Sequence, residues 1–237
     1  MFSHEFQSRP RSVNLRVTNT ITRDLILSLC AHLQAARTYY HVDRINIYVD
    51  SPGGDIHALL YFVRCMRAMQ SAGLLITTHT RIGASSAGAI MLSAGSPGFR
   101  TADTAAQLLF HNVYPVRAEG TPAAYRHAVP IPNDILDAIT TTNRDVRAAL
   151  TPRQVDSQDI NRVHGALSDL MANGKILSNP AERGVATALL AVASVPGHPE
   201  DTWAIILDTL FNFDVHVTPA IPLALGLIDG VSPHGPQ

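Results

Sequence analysis

The sequence predicts a layered α/β fold with parallel strand pairing. Strand-like and helix-like patterns alternate through the first 112 residues, the signature of strands joined by crossover helices. Turn formers and helix terminators fall between these patterns. The 237 residues, 46% hydrophobic, suffice for one large α/β domain or two small ones.

Residues 1–12 read as a flexible polar arm. "VNLRVT" alternates as a strand does, and "TITRDLILSLCAHLQAA" places Leu25, Leu29, Cys30 and Leu33 on one helical face. "INIYVD" (45–50) alternates again, pointing Ile45, Ile47 and Val49 one way. The turn "SPGG" follows, where the second glycine, Gly54, lets the backbone approach a neighbour closely. Ile56, Leu59, Leu60, Val63 and Met66 then mark an amphipathic helix closed by Gly73. "LLITTHT" reads as a strand, "SSAGAIMLSAG" as a short helix of small residues, and "AQLLFHN" as another strand.

The second half differs in character. Residues 113–131, with Pro115, Pro122 and Pro130, are loop-like. "NDILDAITTTNRDVRAAL" reads as a helix. "TPRQVDSQDINRVHGALSDLMANG" reads as the next, with Thr151 as N-cap, Pro152 in the first turn and Gly174 as terminator. "WAIILDTLF" is a further helix, before "TPAIPLALGLIDGV" and a polar tail. No internal repeat or low-complexity linker interrupts the chain.

The formal net charge of −1 gives no long-range field for nucleic acid or an anionic membrane, so neither is an expected partner. Cys30 and Cys65 sit in apolar helical patterns and read as small buried hydrophobes, not as a disulfide or metal pair. The N-terminus lacks an apolar core of signal-peptide length, and no stretch reaches the roughly 18 apolar residues of a membrane span. A soluble, cytoplasmic protein is expected. No His/Cys/Asp/Glu set has metal-site spacing. Gly53 and Gly54 are not followed by a phosphate-binding pattern, so no nucleotide or other cofactor is expected.

The chemistry is concentrated in "IGASSAGAIML". A lone serine before a helix is usually an N-cap, but small residues at a strand-to-helix turn also suit an exposed nucleophile with amides aimed at an oxyanion. Gly54 and Ala87 are candidate oxyanion amides. His111 ends the apolar strand "QLLFH", and Asp214 follows a helix. Ser86, His111 and Asp214 thus form a candidate nucleophilic triad by role. His57 and His79 read as structural.

"YVDSPGGDI", "IGASSAGAIMLSAG", "FRTA" and "LLFHNVYP" together resemble the proteolytic subunit of the Clp protease, ClpP, a serine peptidase with a crotonase-type fold. The resemblance implies a layered fold with a largely parallel sheet flanked by helices. It places the nucleophile at Ser86, with Ala87 where Met is common, and the base at His111, 25 residues later. "DVHVTPAIPLALGLID" matches the family's acid-containing pattern from Asp214 to Asp229. Asp50 stands where the family has Asn. His111 and Asp214 are 103 positions apart, about twice the family's separation, which implies an atypical helical insertion around 120–198 within a single domain spanning 13–231, followed by a tail at 232–237. "NGKILSNPAERGVA" is similar to the acid pattern but has Gly174 in place of the acid, and leaves Asp169 as an alternative to Asp214.

The function so implied is a serine endopeptidase acting inside a ring-shaped homo-oligomer on protein or peptide substrates, with an ATP-driven AAA+ unfoldase as a partner. The alternatives are a catalytically inactive scaffold or regulatory subunit of the same fold, a crotonase-type acyl-CoA enzyme, and a relative that processes one partner protein.

Overall fold

The computed structural model describes residues 12–113, 133–152, 154–173, 177 and 179–232. The expected arm and tail, apart from Ser12 and Ser232, lie outside the described residues. So do Gly174, residues 120–132 of the expected insertion and the three prolines of the loop-like segment.

The chain is a mixed α/β structure whose central sheet is parallel and flanked by helices. Strand β1 (Ser12–Val17) leads to α1 (Arg23–Thr38), β2 (Arg44–Val49), α2 (Ile56–Ser71) and β3 (Leu75–Thr80). Then come β4 (Gly83–Ser85), α3 (Ala87–Ser93), β5 (Arg100–Asp103) and β6 (Gln107–Leu109). After the helices α4 (Asn133–Leu150), α5 (Ser157–Ala172), α6 (Pro180–Ala193) and α7 (Pro199–Asn212), the chain closes with β7 (His216–Val217), α8 (Ala220–Ala224) and β8 (Gly230–Ser232). The large sheet runs β1-β2-β3-β5-β8, and a second sheet runs β4-β6-β7.

The alternation read in "INIYVD" is realised. Ile45, Ile47 and Val49 are buried, against the apolar faces of α1 (Ile26, Leu29, Cys30, Leu33) and α2 (Leu59, Phe62, Val63, Met66). The opposite face of the sheet is polar and knitted across strands. Asn46 Nδ2 donates to Asn14 Oδ1 at 2.7 Å, and Thr77 Oγ1 donates to Asn46 Oδ1 at 2.7 Å. Both cysteines are free thiols; burial, then the neighbouring Cys65 side chain, push the Cys30 thiol up to about 12.

The amino ends of β5 and β8 are joined by Arg100 and Asp229. Asp229 accepts from Arg100 Nε at 2.7 Å, from Nη2 at 2.6 Å and from the Arg100 amide at 3.0 Å. Burial works to raise the Asp229 pKa, but the hydrogen bonds and charge of Arg100 outweigh it, and the carboxyl is held below its ordinary range.

Three sequence readings need correction. Thr151 does not cap the helix that follows, because its hydroxyl donates back to Arg147 O at 2.9 Å and finishes α4. The cap is Asp156, whose carboxylate accepts from the amides of Gln158 and Asp159 while Asp159 returns a bond to the Asp156 amide. Helix α6 has no counterpart among the elements expected from the sequence, although Pro180 at its start and the Asn179 cap are ordinary start signals. Strands β4 and β5 were also unread, being too short for an alternation to register.

The core is continuous from the α1/α2 layer through Phe110 and Phe211 to Val146, Val163, Val185 and Trp203 on α4 to α7. Among the described residues, no helix is long and apolar enough to cross a membrane.

His79 lies on the polar sheet face yet is only 1% exposed. Its Nδ1 is 2.9 Å from Thr101 Oγ1, its ring meets Tyr48 edge-on, and Nε2 lies 3.2 Å from Asp103 Oδ1 without the alignment of a hydrogen bond. Burial lowers the His79 pKa and prevails over the carboxylates of Asp103 and Asp50, which pull it up. A lowered folded-state value favours neutral imidazole, so its contribution to stability is present above about pH 6.5 and is lost as pH falls through the lower folded-state value. The melting temperature should therefore fall below about pH 6.5. His79→Gln should flatten that part of the profile in melting curves from pH 7.5 to 5.

Candidate active site

The stretch "DSPGGD" is fixed from its first residue. Asp50 Oδ1 accepts from Thr80 Oγ1 at 3.0 Å and from the amides of Arg81 and Ile82 at 2.8 and 2.9 Å. Burial raises the Asp50 pKa, the donors lower it, and the donors prevail. Asp50 thus ties the end of β2 to the turn that leads into β4. Ser51 continues the tie, its carbonyl accepting from the Ser85 amide at 2.9 Å and its hydroxyl donating to Asn19 O at 2.7 Å.

The two glycines face different neighbours. A Cβ on Gly53 (φ 100°) would sit 2.7 Å from Ser85 O, 2.7 Å from Ser86 Cβ and 3.1 Å from the Ala87 amide nitrogen. A Cβ on Gly54 (φ 146°) would instead meet Ile21 O at 2.2 Å. The close approach to the serine turn is therefore made by Gly53, while the close approach of Gly54, read from the sequence, is to Ile21. The bridge to Ile21 uses the Gly53 carbonyl and the Asp55 amide, so the Gly54 amide takes no part in it.

Ser86 joins β4 to α3 with φ 54° and ψ −125°, a conformation rarely taken by residues other than glycine. It is half-buried, and its side chain makes no capping bond to α3. Its backbone is pinned on both sides: the amide donates to Leu109 O at 2.8 Å, and the carbonyl accepts from Ala89 and Ile90. A serine held in a strained strand-to-helix turn without capping that helix differs from an ordinary N-cap.

The small sheet sets the mutual placement of the candidate residues. β4 pairs with β6 in parallel, Ser85 opposite Leu109, so Ser86 leaves at the edge where the chain runs on to His111. β7 pairs antiparallel with β6, Leu109 opposite His216 and Leu108 opposite Val217. Asp214, two residues before β7, therefore enters at that same edge, although the pairing itself ends at Leu109 and His216 and the left-handed backbone of Asp214 does not continue it. Asp169 is exposed on α5 beside a cavity of about 560 Å³ that Leu170, Leu223 and Thr218 also line.

His111 Nδ1 lies 2.7 Å from Asn112 O. A carbonyl only accepts, so Nδ1 carries the proton and neutral imidazole keeps its lone pair on Nε2. Asn112 is itself held at both ends, donating from Nδ2 to Asn212 Oδ1 at 2.6 Å and accepting from Arg147 Nη2 at 2.7 Å. Arg147 pairs with Asp208 and lies over the Phe211 ring, while Asn143 Oδ1 accepts from the Val113 amide at 2.7 Å. A cleft of about 790 Å³ opens beside Asn112 and Val113, walled by Ile139, Asn143 and Arg147. Sequence reasoning missed this clamp because Asn143, Arg147 and Asn212 are far from His111 in the chain and follow no motif.

Asp214 occupies a left-handed position (φ 48°) just past the end of α7, a site that Asp and Asn tolerate better than most residues. Its carboxylate is exposed and makes no hydrogen bond or ion pair among the described residues. No group of His, Cys, Asp and Glu that could hold a metal ion occurs among the described residues.

Residues 6–123 match the family model described as Clp protease. The match contains Ser86, His111, Gly54 and Ala87 and stops short of Asp214 and Asp169. No curated protein matches the chain.

Two substitutions probe this framework. Gly53→Ala should destabilise the chain by about 1–3 kcal/mol, from the positive φ and the collision with the Ser86 turn; a urea midpoint equal to wild type would show that the loop does not seat there. Asp50→Ala should cost about 1–2 kcal/mol by leaving its donors unpaired. Asp50→Asn, which keeps an acceptor oxygen, should cost less in the same titration.

Proposed function

From a chain that belongs, through its N-terminal half, to the Clp protease family, we propose a serine endopeptidase in which Ser86 is the nucleophile, His111 the base and Asp214 the acid. The observation that carries this reading is the shared edge of the β4-β6-β7 sheet, at which the Ser86 turn, the His111 segment and the Asp214 segment converge.

His111 Nε2, left unprotonated by the Nδ1 bond to Asn112 O, takes the Ser86 hydroxyl proton as the oxygen attacks a peptide carbonyl. The Asn112 carbonyl fixes the tautomer, so the part left to Asp214 is mainly charge: it favours the imidazolium that forms. The amides of Gly54 and Ala87 receive the oxyanion, each worth about 3 kcal/mol. The tetrahedral intermediate collapses as the His111 imidazolium gives its proton to the nitrogen of the leaving amine, which departs and leaves Ser86 acylated. Water, deprotonated by the same Nε2, then attacks the ester, and the imidazolium returns that proton to Ser86 Oγ as the carboxylic acid product leaves. The substrates are proteins or peptides, the subunit works in a cytoplasmic ring of identical copies, and an ATP-driven unfoldase feeds it.

One observation favours the second reading, an inactive scaffold subunit: the Asp214 carboxylate is exposed and without a partner among the described residues. The endopeptidase reading attributes this to a chain outside its assembly, where the acid has yet to swing onto the imidazole.

The test is covalent labelling by a fluorophosphonate, with the labelled residue mapped by mass spectrometry and the oligomer size recorded on the same sample. Labelling should fall on Ser86, vanish in Ser86→Ala and persist in Ser85→Ala. Asp214→Asn, which keeps the left-handed backbone, should slow it at least about tenfold. A folded, assembled wild-type protein that takes no label would sink the endopeptidase in favour of the scaffold.

A further inference from the structure

The region between His111 and Asp214 holds a buried carboxylate that the proposed chemistry does not use. Glu182, in the first turn of α6, is 2% exposed. Charged side chains are seldom buried without a partner that compensates the lost hydration. Here the compensation is hydrogen bonding: one oxygen, Oε1, accepts from the Thr218 amide at 2.6 Å and from the Thr218 hydroxyl at 2.5 Å. No ion pair of Glu182 occurs among the described residues.

Thr218 is the residue directly after β7. The two residues of β7 pair with Leu108 and Leu109 of β6, and Asp214 stands just before them. A strand of two residues is too short to fix its own position by pairing alone. It is fastened at its N-terminal side by α7 and at its C-terminal side by the Glu182–Thr218 contact. α6 is in turn packed against both α5 and α7, with Val185, Ala186 and Leu189 in the core.

We infer that Glu182 is a positioning residue for the acid: it locks Thr218, and through β7 holds the Asp214 segment at the sheet edge from which the chain runs on to His111. The additional helical chain between the base and the acid then has a mechanical role, since α6 supplies the anchor for the strand that carries the acid. This inference rests on the proposed roles of Ser86, His111 and Asp214.

The test compares Glu182→Gln, Glu182→Ala and Thr218→Val in fluorophosphonate labelling, resolving the maximal labelling rate from the probe's half-saturating concentration, with melting temperatures in parallel. Gln keeps an acceptor oxygen for both donors and should stay within about threefold of wild type. Glu182→Ala should lower the maximal rate at least tenfold at unchanged half-saturation, and Thr218→Val, which keeps the amide bond, should fall between them. In an Asp214→Asn background, Glu182→Ala should add little, because its effect passes through Asp214.

A merely structural Glu182 would lower the melting temperature of Glu182→Ala while the folded protein labels at the wild-type rate, and that outcome overturns the inference. If Glu182→Ala does not fold, Thr218→Val decides alone: a wild-type labelling rate in that variant overturns it too. Wild-type protein that takes no label overturns the triad reading instead, so the two failures are told apart.

Discussion

A methyl group at position 53 would collide with the turn that carries Ser86, and the candidate site is assembled around its absence. The 51–54 loop and the 83–88 turn meet backbone to backbone. Gly53 lies against Ser85, Ser86 and Ala87, and Gly88 lies against Ser51, whose carbonyl would be 2.8 Å from any Cβ there. Such contact leaves no side chain to cushion a displacement, so loop and turn hold one another in place. The strained dihedrals of Ser86 persist because hydrogen bonds on both sides over-determine them. Strain of this kind survives only where the surroundings are stiffer than the residue itself, and two glycines in contact with backbone provide that stiffness.

From this seat the geometry propagates by register. A parallel pairing carries Ser86 to the side on which β6 ends, and an antiparallel pairing brings the chain before β7 to the same side. Neither pairing is long; each survives because its residues are buried against a continuous core, Ala84, Leu108 and Val217 being almost wholly covered. The side chains that steady the His111 segment come from α4 and α7. They are polar, bonded in a chain from Asn143 and Arg147 to Asn112 and Asn212. Apolar packing thus sets where the strands lie, and hydrogen bonds set the orientation of the imidazole.

Much of this was legible in the sequence, and the exceptions have physical causes. The alternating and helical patterns through residue 112 announce β2, α1 and α2, because each buries one regular face, and β3 is announced by its run of β-branched residues although both of its faces are covered. β4 and β5 escaped because three or four residues cannot display a period. Thr151 was misread as a helix start because a hydroxyl can bond forward or backward; here it bonds back to Arg147, leaving the start to the reciprocal pair Asp156 and Asp159. The role of SPGG as a close-approach turn was readable, but which glycine faces the serine was not, since that depends on the Ile21 bridge from another strand-to-helix connection. Asp50 in the place of Asn read as a departure from the family; in the structure its carboxylate accepts three donors through one oxygen, a task an amide oxygen also performs.

The division of the chain also bears on how such a site is completed. The proposed nucleophile and base, Ser86 and His111, lie within residues 6–123, the part that matches the Clp protease model, while Asn143, Arg147 and Asn212, which steady the His111 segment, lie beyond it. The candidate acid arrives from beyond four helices among the described residues, two positions before a strand of two residues. An acid delivered from so far along the chain cannot be held by local sequence alone, because each intervening connection adds freedom at the far end. Long-range contacts must remove that freedom. Those present are the packing of α5, α6 and α7 on one another and the buried acceptor on α6 that takes both donors of Thr218. These contacts secure Thr218 by two hydrogen bonds to a buried acceptor, whereas Asp214 itself stays exposed at the end of α7, so the chain is held on the far side of β7 from the candidate acid.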